Sequence, residues 1–344
     1  MNTSSLTPAP GSHPDLVGSG PVVNGLAQPG VSFRATLEAA HAGGIAASNL
    51  TVASNHGFRE AAERIIDLLR LIESGTVAAD LVTRVEDIEA CHRSGRAGIV
   101  IGFQNSDPIE GDLVLLAVLH RLGLRIMQLT YQRRNLLASG CGEEVDEGLT
   151  PLGVEVVGEC NRLGVLVDLS HTAERSLIEA AAASSRPVVI SHANLHSFYP
   201  VPRNKTDEAV RAVAATGGLM GINSISRLIT PEGRERQATI AEYVDQVETV
   251  ADLVGIAHVG IGLDSSEGMT EEVFVERRKT FLTQFPELRM GGDFPLWTYF
   301  TSGLESAAGI GAIAAELDRR GWSGADRDAV MGGNWMRVLR ETWN

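Results

Sequence analysis

The chain has 344 residues, 44% of them hydrophobic and 21% charged, enough to bury a large core. Its formal net charge of -14 argues against nucleic acid and anionic membrane as partners, since both need a basic surface. Three cysteines (Cys91, Cys141, Cys160) fall in no CxxC spacing, so they give neither a disulfide framework nor a thiolate metal site; a reducing, cytoplasmic setting is expected.

Residues 1–20, "MNTSSLTPAPGSHPDLVGSG", are polar and rich in Ser, Pro and Gly. They lack the basic and apolar regions of a signal peptide and are expected to form a flexible tail. His13 and Asp15 form an H-x-D there, ahead of any strand, and are given no ligand role.

From residue 21 onward, short apolar runs alternate with segments of helical period. The predicted strands are "PVVNGLAQ" (21–28), "GGIAASNLTVA" (43–53), "AGIVIGFQN" (97–105) and "LRIMQLTY" (124–131). Then come "GVLVDLSH" (164–171), "PVVISHAN" (187–194), "GGLMGINS" (217–224) and "HVGIGLDS" (258–265). Most are continuous apolar runs, as expected of parallel strands covered on both faces. Helical patterns at 58–75, 111–123 and 150–164 lie between them, the last with Thr150 placed as N-cap and Pro151 at the first helical position. Eight strands with intervening helices predict a single (β/α)8 TIM barrel over 21–344. A doubly wound sheet is the alternative, but no Gly-rich fingerprint follows the first strand. Residues 265–305 are too long for a simple loop and are expected to form a lid or insert.

In such a barrel the active site lies at the C-terminal ends of the strands. Read in order these are Gln28, Asn49 or Thr51, Gln104, Tyr131, His171, His192, Asn223 and Asp264. His171 and His192 close consecutive strands and would stand side by side, a natural pair of metal ligands. Asp264 could be a further ligand, a general acid or base, or the anchor of a substrate amine. Tyr131 is the other candidate for acid–base chemistry. Gln104, Asn223, Asn135 in the loop 132–151 and Arg203 in "VPRNKTDE" are candidate substrate contacts, the arginine because its fork suits a carboxylate. His41, His56, His92, His120, His196 and His258 have no matched partners and are assigned structural or surface roles. No G-x-S-x-G, Walker or H-E-x-x-H motif occurs.

The succession "GLTPLGVEVVGECNRLGVLVDLSH", "RPVVISHAN", "PRNKTDEAV", "GGLMGIN", "VGIGLD" and "MGGNWMRVL" resembles the membrane (renal) dipeptidases of peptidase family M19, from about residue 21 to the C-terminus. The resemblance implies a metallo-dependent-hydrolase-like TIM barrel, a small-molecule substrate with a carboxylate, and a homodimer. It places His171 and His192 on two ligands of the second metal, Arg203 on the substrate carboxylate and Asp264 beside the substrate amine. It also exposes departures. Leu26 and Gln28 stand where the family's D-G-H-x-D supplies first-metal ligands, Gln104 where a glutamate bridges the metals, and Tyr131 where a histidine polarises the scissile carbonyl. Two dications about 3.5–4 Å apart repel by roughly 17–19 kcal/mol at an effective dielectric of about 20. A neutral amide at Gln104 cannot offset that. The pattern resembles a divergent bacterial branch of that family, and the resemblance implies one zinc or other divalent ion, or none. The expected activity is that of a dipeptidase-like hydrolase acting on a small amino-acid-derived amide or N-substituted amino acid; a lyase or isomerase, or a non-catalytic binding homologue, are the alternatives.

Overall fold

The computed structural model describes residues 20–285 and 294–343, so the tail with His13 and Asp15, and residues 286–293 of the expected lid, lie outside the described residues. Among the described residues ten strands form one parallel sheet: β1 (Val22–Gln28), β2 (Ile45–Ala53), β3 (Ala79–Val82), β4 (Ala97–Phe103), β5 (Leu124–Gln128), β6 (Leu166–Asp168), β7 (Val189–Ala193), β8 (Leu219–Ile222), β9 (Val259–Ile261) and β10 (Ser265–Ser266). Their order is β10-β1-β2-β4-β5-β6-β7-β8-β9, with β3 on β4.

β9 and β10 are two halves of the predicted eighth strand. β9 pairs with β8, and β10 pairs with β1 through Ala27↔Ser265 and Gln28↔Ser266, which closes the ring. The fold is thus the (β/α)8 TIM barrel, with eight staves. β3 is additional. Ile99 of β4 pairs with Ser48 of β2 on one side and Leu81 of β3 on the other, so β3 lies below β5 on that edge. Its four residues, "ADLV", carry an acid in the middle and only two buried positions, which is why no apolar run announced it.

Two differences concern strand ends. β2 ends at Ala53, as the run 43–53 predicts, so Asn49 and Thr51, named as its end residues, lie within the strand; Asn49 donates to Gly25 O at 2.9 Å inside the barrel. The first residues of the expected lid, Ser265 and Ser266, belong to the barrel wall, and a helix follows at Glu271–Gln284.

The core has two parts. Outward-facing strand residues such as Ile99, Ile101, Val167 and Ile261 pack under the helices. A second cluster fills the lower barrel: Val23, Val100, Ile126, Leu166, Val189 and Leu219 around Trp335. Trp335 comes from the C-terminal helix Asn334–Thr342 and donates its indole N–H to Ile261 O at 3.0 Å. Gly25 and Gly260 make room for it, since a Cβ at either would sit 2.3 Å and 2.8 Å from the indole.

The helix Pro151–Leu163 starts as predicted. Thr150 Oγ1 accepts from Gly153 N at 3.0 Å and Pro151 opens the first turn. Thr150→Ala should lower stability by about 1 kcal/mol, the usual worth of such a cap, measured as a shift of the urea midpoint. An unchanged midpoint would mean the 132–151 loop alone holds the helix start.

Candidate active site at the barrel mouth

The upper barrel turns polar where the lower barrel is apolar. β6 carries Asp168 and delivers His171 just beyond its end; β7 carries Ser191 and His192. The structure brings the two imidazoles together as predicted, with their Nε2 atoms 3.1 Å apart. From there the network runs to β4 and β1. Gln104 Nε2 lies 3.2 Å from His192 Nε2, and Gln104 Oε1 accepts from Gln28 Nε2 at 2.8 Å. Gln28 Nε2 also donates to Asp264 Oδ1 at 3.0 Å, and Asn223 Nδ2 donates to Asp264 Oδ2 at 3.2 Å. So Gln104, Asn223, Asp264, His171 and His192 form one continuous array, with Gln28 as its bridge.

Asp264 sits between β9 and β10 with φ 56°, in the left-handed region that side chains other than glycine seldom adopt. Such strain persists where surrounding structure over-determines it, and it is enriched at functional sites. Burial pushes its carboxyl upward, while the amides of Gln28 and Asn223 and the nearby Arg203 pull it down.

Arg203 is held by two backbone carbonyls. Nη1 donates to Ser170 O at 2.8 Å and Nη2 to His192 O at 2.5 Å. That places its guanidinium beside the histidine pair. Burial, then the Arg203 charge, hold both imidazoles well below the usual histidine range. Both are therefore neutral at neutral pH.

Tyr131 lies against His171 with ring centroids 4.4 Å apart and the planes tilted by 31°. Phe281 and Phe285, at the end of the helix Glu271–Gln284 and just past it, lie against its other sides at 6.5 Å and 5.8 Å. Asn135 is placed differently. Its amide donates to Asn105 Oδ1, Ser106 Oγ and Leu129 O, and its carbonyl accepts from Leu137 N and Ala138 N. Among the described residues no hydrogen bond joins it to the histidine array; it ties the 132–151 loop to the strand ends. The unmatched histidines lie elsewhere, as His258 shows with Nδ1 2.7 Å from Gly218 O.

Several residues of the site escaped the sequence reading. Gln132 Nε2 lies 3.2 Å from His171 Nδ1, and Cys141 Sγ donates to Gln132 Oε1 at 3.3 Å. Lys205 is buried, donates to Thr172 O at 2.6 Å, and burial draws its ammonium down to about 8. Asp168 had a visible signal: a lone acid inside an otherwise apolar strand.

The donor set does not fit a two-zinc centre. Among the described residues no group of three or more His, Cys, Asp or Glu side chains is placed to hold a metal ion. Leu26 is buried hydrocarbon, and Gln28 and Gln104 hydrogen-bond to each other where two carboxylates would be needed. For a single ion the histidine pair offers two protein ligands, one fewer than catalytic zinc takes.

The neutral histidines make stability pH-dependent. Unfolded histidines take up protons below about pH 6.5, whereas the buried pair resists protonation until far lower. The unfolded state then binds more protons, so stability is full above about pH 6.5 and falls on acidification. The expected loss is up to ~1.4 kcal/mol per pH unit for each histidine. Urea midpoints from pH 7.5 to 5.5 test this, and His192→Gln should flatten the slope; a pH-independent midpoint contradicts it.

A closed parallel barrel whose mouth carries paired histidines, an arginine and an aspartate at positive φ is a TIM-barrel protein with a polar site at the C-terminal ends of its strands. The family model for membrane dipeptidases (peptidase family M19) matches residues 36–276, and the chain belongs to this family. It is 28% identical over 279 residues to the dipeptidase tcpJ of Claviceps purpurea, a match covering 80% of this chain and 58% of that one. It is 30% identical over 277 residues to the dipeptidase verJ of Clonostachys rogersoniana, covering 80% and 63%. The chain thus spans less than two thirds of either relative's length. Among solved structures, an amidohydrolase from Pseudomonas aeruginosa superposes with a TM-score of 0.87 at 30% identity, covering 96% of this chain and 98% of that one. A metallo peptidase from Rhodobacter sphaeroides, liganded with a phosphinate mimic of the dipeptide L-Ala-D-Ala, shares the fold with a TM-score of 0.77 at 20% identity, covering 94% and 99%. No helix among the described residues is long and apolar enough to cross a membrane.

Proposed function

We propose that the chain is a dipeptidase-like hydrolase acting on a small amino-acid-derived amide or an N-substituted amino acid, with a metal site reduced to one divalent ion or none. The observation that carries this reading is Arg203. Two of its five N–H donors are taken by backbone carbonyls. Among the described residues it forms no salt bridge, so its charge and remaining donors are available to a substrate carboxylate.

With the carboxylate on Arg203, the amide carbon lies among the histidine pair, Tyr131 and Asp264. Asp264, raised by burial, takes a proton from the attacking water. The carbon–oxygen bond forms, the carbon–nitrogen bond breaks, and the proton passes to the departing amine. The Tyr131 hydroxyl donates to the oxygen on which charge develops, in the place of the family's histidine. Residues 271–285 act as a lid: the aromatic contacts of Phe281 and Phe285 with Tyr131 support that role. The three buried free thiols suit a reducing compartment such as the cytoplasm. The dimer implied by family resemblance is checked by size-exclusion chromatography with light scattering.

The test is steady-state hydrolysis of a panel of dipeptides and N-acyl amino acids, each paired with its carboxamide. Arg203→Met should raise KM for the acids by about 100-fold, the loss of a charge-assisted pair worth about 2–3 kcal/mol, and leave the carboxamides unchanged. Equal effects on both series would defeat the carboxylate assignment. Tyr131 opposite Asp264 also suits a lyase or isomerase. That reading predicts turnover without uptake of 18O from labelled water, and a strong loss in Tyr131→Phe.

A further inference from the structure

Behind His192, on the side away from the mouth, lies a second buried group that the reaction outlined above does not use. Asp168 is fully buried at 0% exposure. Its Oδ1 accepts from Ser170 N at 3.0 Å, Ser170 Oγ at 2.6 Å and Ser191 N at 3.0 Å. Its Oδ2 accepts from Ser191 Oγ at 2.5 Å, and that same Ser191 Oγ lies 2.7 Å from His192 Nδ1.

We propose that Asp168, acting through Ser191, is the positioning residue that fixes His192 as the Nδ1–H tautomer and keeps its Nε2 lone pair aimed into the barrel mouth. This concerns the site itself and goes beyond the hydrolase reading, since it holds whichever reaction the mouth performs.

A serine hydroxyl has one proton to give. Ser191 gives it to Asp168, so toward the imidazole it can only accept, and Nδ1 must carry the hydrogen. A neutral imidazole then has its lone pair on Nε2. The other end of the ring gives the same answer independently. The Gln104 amide nitrogen approaches Nε2 at 3.2 Å, and an amide nitrogen can only donate. His171 fits too: Gln132 Nε2 donates to its Nδ1, which leaves its Nε2–H to face His192 Nε2 at 3.1 Å. Arg203 and Lys205, the cations beside the pair, both oppose a second proton on His192. Asp168 touches no substrate position; it works by orienting and polarising the ring, the role outer partners play for ligating or catalytic histidines.

Asp168→Asn is the sharpest test because it keeps shape while reversing the relay. The amide can still accept from Ser170 with its oxygen, but its nitrogen must now donate to Ser191 Oγ. The serine hydroxyl then turns its own proton onto His192 Nδ1, and the ring is driven to the Nε2–H form. Long-range 1H–15N correlation spectra of the full chain labelled with [15N]histidine read this directly, with His192 assigned from the His192→Gln spectrum. The expected wild-type pattern is a protonated Nδ1 with a bare Nε2, inverted in Asp168→Asn and mixed in Ser191→Ala. A wild type with Nε2–H overturns the proposal, as does a folded Asp168→Asn or Ser191→Ala with the wild-type pattern. If Asp168→Asn does not fold, the wild-type and Ser191→Ala spectra decide. On any substrate the chain turns over, Asp168→Asn should lower kcat by about 10–100-fold with KM within about twofold. Absence of turnover in wild type would defeat the hydrolase reading and leave the tautomer result standing.

Discussion

Gln104→Glu should convert the mouth into a metal site. The substitution puts a carboxylate oxygen where the amide nitrogen now stands, 3.2 Å from His192 Nε2, with His171 Nε2 a further 3.1 Å on. Two imidazoles and a carboxylate make up the three protein ligands that catalytic zinc uses. The new glutamate would share the Gln28 amide with Asp264, and two buried carboxylates so close repel each other until a cation joins them. Zinc affinity, read by competition with a chromophoric chelator, should rise at least about 100-fold over wild type, or ~2.8 kcal/mol. Gln104→Met, which adds no charge, should not rise. Equal affinities in wild type and Gln104→Glu would show that the amide is not what separates this mouth from its metal-binding relatives.

The second large effect lies at the opposite end of the barrel. Trp335→Ala should cost about 3–5 kcal/mol of stability, the range for emptying a buried aromatic site. Trp335 is 1% exposed, fills the space over Gly25 and Gly260, and supplies the hydrogen bond to Ile261 O. Neither glycine has a side chain to collapse into the gap, and the orphaned carbonyl adds its own penalty. Trp335→Phe keeps part of the volume and should lose less than Trp335→Ala. Urea unfolding at pH 7.5 measures both. A loss under about 1 kcal/mol for Trp335→Ala would mean the lower barrel repacks around the vacancy.

These two sites show how differently the chain's features could be read in advance. His171 and His192 were legible because each ends an apolar run at the same phase, and parallel strands of one barrel place equal phases side by side. Asp264 was legible for the same reason; Arg203, in a loop, was picked out by the fit of its fork to a carboxylate and by the family resemblance. Asn135 looked like a pocket residue because it sits in a long polar loop, but its amide is consumed by Asn105, Ser106 and Leu129. Loop membership does not reveal which polar groups the backbone will claim. β3 was missed because four residues with an acid among them carry too little periodicity. Asn49 and Thr51 were named for the mouth although both lie inside the run 43–53, whose end at Ala53 the structure keeps.

The amino-acid order alone determined the strand-and-helix alternation, the parallel barrel it implies, and which residue types arrive at the strand ends. It also determined that the first-metal positions hold Leu26, Gln28 and Gln104, a matter of composition at fixed points. Only the tertiary structure decided what those amides do: Gln28 bridges Gln104 to Asp264, and Gln104 reaches His192. It alone brought Asp168 behind His192 through Ser191, and Trp335 from the far C-terminus to the barrel floor. The physical reason is range. Hydrophobic period and turn chemistry act over neighbouring residues and are written locally. A hydrogen bond between residues 28 and 264, or a ring packed over glycines 25 and 260, exists only after the sheet closes.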